Sequence, residues 1–187
     1  NGWVMQVTGI TLPGYRVYEY LLLVNPHEEL RERIMQVKKE FYDKYSAGTA
    51  IGGKPHVTLA NFVQYEMQEG RLINRLRMVA MGTTPFKIEL KNFGSFPSHT
   101  LYINAMSHLP IQGLVKDIRK ETQRLMKLNN INKPHFIMEP HLTVARKLNS
   151  DQYEKGWLEY SQKDFTGRFI ADAMLLLKRP EGEKGKF

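Results

Sequence analysis

The predicted fold class is α+β: two antiparallel β-sheets with helices packed outside them, arranged with approximate two-fold symmetry. Three observations predict it. Strand-like alternation and helix-like periodicity take turns along the whole chain. Two stretches are near copies of each other, Lys54-Pro55-His56-Val57-Thr58-Leu59-Ala60 and Glu139-Pro140-His141-Leu142-Thr143-Val144-Ala145. Each half of the chain offers a strand, a helix, a His-Thr strand and a helix, with extra strands added.

The elements follow in order. Residues 1–14 are punctuated by Gly and Pro and read as a lead-in. Residues 16–25 form a strand ending in the apolar run Leu21-Leu22-Leu23-Val24, and Pro26 stops it. Residues 28–45 form a helix, because Leu30, Ile34, Val37 and Phe41 recur at helical spacing between charged residues. The glycines of residues 46–53 make a loop that delivers the chain to the first His-Thr strand, residues 55–64. A second helix, 67–81, carries Leu72, Leu76 and Val79 on one stripe and is closed by Gly82.

Strands follow at 86–93 and 100–105, joined by Gly94-Ser95-Phe96-Pro97-Ser98. Pro110 opens a third helix, whose stripe is Ile111, Leu114, Val115, Ile118, Leu125 and Met126. A polar loop at 129–133 leads to the second His-Thr strand, 138–147. Ser150 caps a short helix to residue 160. One last strand covers 165–177, and the polar tail 179–187 frays.

At 187 residues the expectation is a single domain, 1–187, of two lobes sharing one cleft. The apolar runs are far too short to span a bilayer, so no membrane is expected. No secretory signal is recognised. Zero cysteines exclude disulfides, thiolate catalysis and Cys-ligated zinc, and fit a cytoplasmic location. The formal charge of +8 fits polyanionic partners such as nucleic acid or nucleotides, with a merely soluble basic protein as the alternative.

Within each copy the period of two puts His and Thr on one strand face, roughly 7 Å apart, and the apolar residues on the other. One imidazole beside one hydroxyl can grip a phosphate-sized group. Displacement at phosphorus needs one group to take a proton from the attacking hydroxyl and another to give one to the leaving oxygen. Histidine suits both, with an unperturbed pKa of about 6.5. His56 and His141 on opposite sides of one phosphorus complete such a pair, and the hydroxyls of Thr58 and Thr143 can donate to the non-bridging oxygens. A catalytic zinc would need three protein ligands, and no His-x-x-x-His or Cys cluster exists. Phosphate-loop, dinucleotide and nucleophile-elbow motifs are absent as well. His27, His99, His108 and His135 lie at turns, loops or a strand start and read as structural.

The paired tetrapeptides His56-Val57-Thr58-Leu59 and His141-Leu142-Thr143-Val144 resemble the signature of the 2H phosphoesterase superfamily. The chain is most similar to its 2′-5′ RNA ligase-like and 2′,3′-cyclic phosphodiesterase branch. The early apolar strand before a helix, Gly94-Ser95-Phe96 before Leu101-Tyr102-Ile103, and Ala145-Arg146 extend the likeness over residues 18–177. The resemblance implies a bilobal fold with both motifs lining a central cleft, and metal-independent, cofactor-free hydrolysis of 2′,3′-cyclic phosphates or 2′-5′ linkages in RNA or nucleotides, reversible as 2′-5′ ligation. Carried over by position, His56 and His141 become the acid–base pair and Thr58 and Thr143 the phosphate holders; which histidine is the acid stays open.

Other residues join the expected substrate site. Tyr102 and Phe96 are placed to stack on a base, with ordinary sheet packing as the alternative. Arg146, which has only Asn61 as its counterpart after the first motif, falls on the opposite strand parity from His141. It reaches the cleft only if the strand twists or ends there; otherwise it forms a surface salt bridge. Lys54 is either a phosphate-attracting rim residue or simply solvated. The chain is expected to act as a monomer. Two rival readings use the same residues: a binding module that holds RNA or nucleotides without turnover, and a cyclic phosphodiesterase for a small non-RNA metabolite.

Overall fold

The computed structural model describes residues 14–127, 134–183 and 187. Its elements are β1 (Val17–Val24), α1 (Glu28–Tyr45), β2 (Val57–Tyr65), α2 (Glu69–Met81), β3 (Phe86–Phe96), β4 (Thr100–Ala105), α3 (His108–Met126), β5 (His135–Phe136), β6 (His141–Ala145), α4 (Ser150–Tyr160), β7 (Thr166–Ala171) and β8 (Leu175–Pro180). They build two four-stranded antiparallel sheets, ordered β5-β2-β1-β8 and β6-β4-β3-β7. One His-Thr strand lies in each sheet. The expected α+β architecture is the observed one.

One apolar core joins the sheets. Leu22, Val57 and Leu59 of the first meet Ile88, Leu101, Leu142 and Val144 of the second, with Ile34 and Phe41 of α1 and Ile118 of α3. A smaller cluster of Tyr20, Phe62, Leu72 and Met126 fastens α2 and α3 to the first sheet, with the Tyr20 and Phe62 rings stacked 5.1 Å apart. This division follows from the helix stripes, which bury Leu72, Leu76 and Val79 on α2 and Ile111, Leu114, Val115 and Ile118 on α3.

Helix α1 has the predicted bounds. His27 caps it, its Nδ1 accepting from the Leu30 backbone N–H at 3.4 Å, and Glu28 and Glu29 complement the positive end of the helix dipole. Its buried stripe runs through Leu30, Ile34, Lys38 and Phe41. The expected stripe member Val37 is only half-buried, and its neighbour Lys38 takes the inward position.

The C-terminal third corrects the sequence reading. The expected strand 165–177 is two strands in different sheets: β7 pairs with β3, and β8 crosses to pair with β1. Asp172-Ala173-Met174 make that crossing. The expected frayed tail begins as ladder instead, since Arg179 pairs with the Glu19 carboxylate at 2.7 Å. His135, read as a loop residue, lies in the two-residue strand β5 against Asn61. β3 runs through Phe96, so the connection to β4 is shorter than expected. The expected lead-in up to residue 13 and the polar loop 129–133 lie outside the described residues.

The cap of α4 is Asn149, not Ser150. Its Oδ1 accepts from the Gln152 N–H at 2.8 Å, and Gln152 Oε1 accepts from the Asn149 N–H at 3.1 Å. Gln152 Nε2 then donates to the Tyr45 carbonyl at 3.1 Å, tying α4 to the end of α1. Asn149→Ala leaves the Gln152 N–H without its partner. It is expected to cost roughly 0.5–2 kcal/mol, read as a lower urea midpoint at unchanged slope.

Candidate active site

Both motifs are built alike in detail. A buried proline, Pro55 or Pro140, precedes a half-buried histidine. His56 stands immediately before β2 and His141 opens β6. The His56 Nδ1 lies 2.9 Å from the Lys54 carbonyl oxygen, and the His141 Nδ1 lies 2.8 Å from the Glu139 carbonyl oxygen. A carbonyl only accepts, so each Nδ1 carries its proton and donates it. Each Nε2 is thereby left to exchange a proton with something else.

The ladders show a second shared feature. Leu23 and Leu22 pair with Thr58 and Ala60, so Leu59 is an extra residue; Tyr102 and Leu101 pair with Thr143 and Ala145, so Val144 is one too. Each motif therefore has a β-bulge one residue past its threonine. Two successive residues turn inward, Leu59-Ala60 in one copy and Val144-Ala145 in the other, and the alternation shifts by one. Asn61 and Arg146 thereby return to the face that carries His and Thr. This corrects the parity expected for Arg146.

β2 and β6 lie against each other although they belong to different sheets. Burial pushes the His56 imidazole below the ordinary histidine value. The hydrogen bond to Lys54 opposes that shift, and the positive charges of Lys38, Arg146 and His141 add to it. The second histidine thus acts electrostatically on the first.

Phe96 and Tyr102 gather at His141 and leave His56 without an aromatic neighbour of this kind among the described contacts. Their ring centroids lie 4.9 and 5.1 Å from the imidazole and 4.7 Å from each other. Tyr102 pairs directly across the ladder from Thr143. Gly94 makes room for this arrangement: a Cβ there would lie 2.5 Å from the Tyr102 ring. Burial and the Glu139 carboxylate raise the Tyr102 hydroxyl above its ordinary value and keep it protonated.

Of the other sequence-predicted residues, Arg146 is exposed and follows the end of β6. The side chain of Lys54 is exposed, and the residue meets His56 through its backbone carbonyl. Sequence reasoning missed two neighbours. The Thr49 hydroxyl donates to the Arg146 carbonyl and accepts from its N–H at 3.3 Å, clasping the loop before the first motif to the end of the second. Lys38 reaches the Gly52 carbonyl at 3.2 Å. Its signal in the sequence was a lysine four residues past Ile34 on an apolar stripe. Among the described residues no three His, Asp or Glu side chains converge as metal ligands, and no helix is long and apolar enough to cross a membrane.

Comparison with known proteins places this geometry. A candidate phosphoesterase of Bacillus cytotoxicus is 24% identical over 170 residues, covering 87% of this chain and 89% of its own. Another, from Halalkalibacterium halodurans, is 29% identical over 126 residues, covering 66% and 70%. Among solved structures, Escherichia coli LigT in its apo form superposes with a TM-score of 0.60 at 14% identity, covering 87% of this chain and 88% of that one. LigT complexed with 3′-AMP gives the same score and identity over 91% and 92%. The sequence profile of the 2′-5′ RNA ligase superfamily matches residues 26–183. With both motifs inside that span, and the fold shared with LigT, the chain belongs to the 2′-5′ RNA ligase superfamily.

Proposed function

We propose that this protein is a phosphoesterase, a single-domain enzyme that opens 2′,3′-cyclic phosphates or 2′-5′ linkages of RNA or nucleotides by metal-independent acid–base catalysis. The observation that carries the reading is the pair of imidazoles, one from each sheet, each held through Nδ1 with Nε2 left over. His56, whose neutral form burial and neighbouring cations favour, takes a proton from water as the water oxygen bonds to phosphorus. The bond from phosphorus to one ribose oxygen breaks, and that oxygen takes a proton from His141. A phosphomonoester results. With a 5′-hydroxyl in place of water, the same transfers form a 2′-5′ diester.

Thr58 and Thr143 donate to the non-bridging oxygens, and Arg146 and Lys54 add positive charge at the rim. Phe96 and Tyr102 form the base platform, worth about 1–3 kcal/mol per stacked base. Their position beside His141 puts the nucleoside on the side of the leaving oxygen. The complex of LigT with 3′-AMP, a nucleoside monophosphate held by this same fold, supports the reading.

Incubation with 2′,3′-cyclic nucleotides, with and without chelator, tests it. Turnover should survive chelation and give a bell-shaped pH profile. The acidic limb should lie below pH 6.5, since a base with a lowered pKa stays neutral further into acid. Chelator-sensitive turnover would reject the mechanism, and nucleotide binding without turnover would leave a binding module.

A further inference from the structure

Lys38 is 5% exposed, and its stem runs along the buried stripe of α1 between Ile34 and Phe41. Lysine is almost never buried this far without a partner of opposite charge, because an ammonium out of water is costly. Among the described residues it has none. Its Nζ donates one hydrogen bond, to the neutral Gly52 carbonyl at 3.2 Å, and forms no ion pair with a carboxylate. An ammonium has three N–H donors, so two are left.

Its position is specific. Gly52 lies two residues before Lys54, whose carbonyl holds His56. The positive charges that act on His56 come from Lys38 on α1, Arg146 past β6 and His141 on β6. Burial, and then the Arg146 charge, lower Lys38 itself below the ordinary lysine value. Three cationic groups from separate elements thus act on one imidazole. That concentration of like charge is unfavourable unless an anion completes it.

We propose that Lys38 is a phosphate-binding residue of the cleft, a cation supplied from outside both motifs whose counter-ion is the substrate's phosphate. The inference rests on the phosphoester reading of the site and adds to it. With the Lys38 and Arg146 charges both acting on His56, the pocket favours a phosphate that holds its negative charge near the attacking group.

Inorganic phosphate is the probe, titrated calorimetrically into the wild-type protein and into K38M and K38R. Losing one charge-assisted hydrogen bond predicts a roughly ten- to hundredfold weaker phosphate affinity for K38M, with most of it retained in K38R. The pH limb belonging to His56 should also move upward in K38M. Equal phosphate affinity in K38M and the wild type would overturn the proposal and reduce Lys38 to a tether for the Gly52 loop. Should K38M fail to fold, 15N NMR of the wild-type lysine side chains decides: phosphate must shift the Lys38 Nζ signal, and an unmoved signal rejects the site. These readouts need no turnover. If no cyclic nucleotide is hydrolysed yet phosphate binds through Lys38, the reaction assignment fails and the binding residue stands.

Discussion

Replacing His56 or His141 with alanine is expected to lower turnover of a 2′,3′-cyclic nucleotide by roughly 10²–10⁴-fold, the contribution of one positioned acid or base. The reason lies in how alike the two imidazoles are. Each spends its Nδ1 proton on the carbonyl two residues back, so neither can be held in a different tautomer to cover for the other. With His56 gone, the attacking water has no acceptor. With His141 gone, the departing ribose oxygen leaves as an alkoxide. Both groups serve one step, so the double substitution should cost little more than the worse single one. Binding of inorganic phosphate should fall much less, because the threonines and cations remain. A single variant that keeps wild-type turnover would remove that histidine from the mechanism.

The second large effect is on stability. Phe41→Ala is expected to destabilise the fold by about 3–5 kcal/mol, a large share of the roughly 5–15 kcal/mol of a typical domain. The ring is fully buried, 4.9 Å from Tyr45 and 5.2 Å from Tyr160, and it ties α1 to α4 across the two halves of the chain. Gly156 of α4 admits it, since a Cβ there would lie 2.8 Å from the ring. Urea midpoints measure the loss, with Met81→Ala as the control; Met81 is 87% exposed, and its loss should stay within about 0.5 kcal/mol. A loss under about 1 kcal/mol for Phe41→Ala would mean that α4 does not close over α1 as described.

Much of this fold was legible in the sequence, for identifiable reasons. Helix α1 could be bounded because its apolar spacing is strong and Pro26 and the glycine loop frame it. The strand pair was legible because the motif repeats. The division of 165–177 into two strands was not, because Asp172-Ala173-Met174 contains no Gly or Pro and apolar residues continue on both sides. Asn149 and Ser150 are both competent caps, and only the reciprocal bonds with Gln152 separate them. Lys38 was hidden for a different reason. Helical lysines are usually solvated, and the only local sign that this one turns inward is its place on the apolar stripe four residues past Ile34.

The site was legible in its chemistry and less so in its asymmetry. The two motifs read as equals, yet the aromatics stand at His141 and the cations act on His56. Strict alternation also put Arg146 on the wrong face, because a bulge leaves no mark in the apolar pattern when the inserted residue is itself apolar.

The paired bulges carry a consequence for how such a chain can diversify. Point substitution alters what a side chain is, but only insertion or deletion alters where a strand aims it. The orientation of positions 61 and 146 is therefore built into chain length, and which residue stands there is a separate matter. With Asn in one half and Arg in the other, the same strand geometry carries unequal poles.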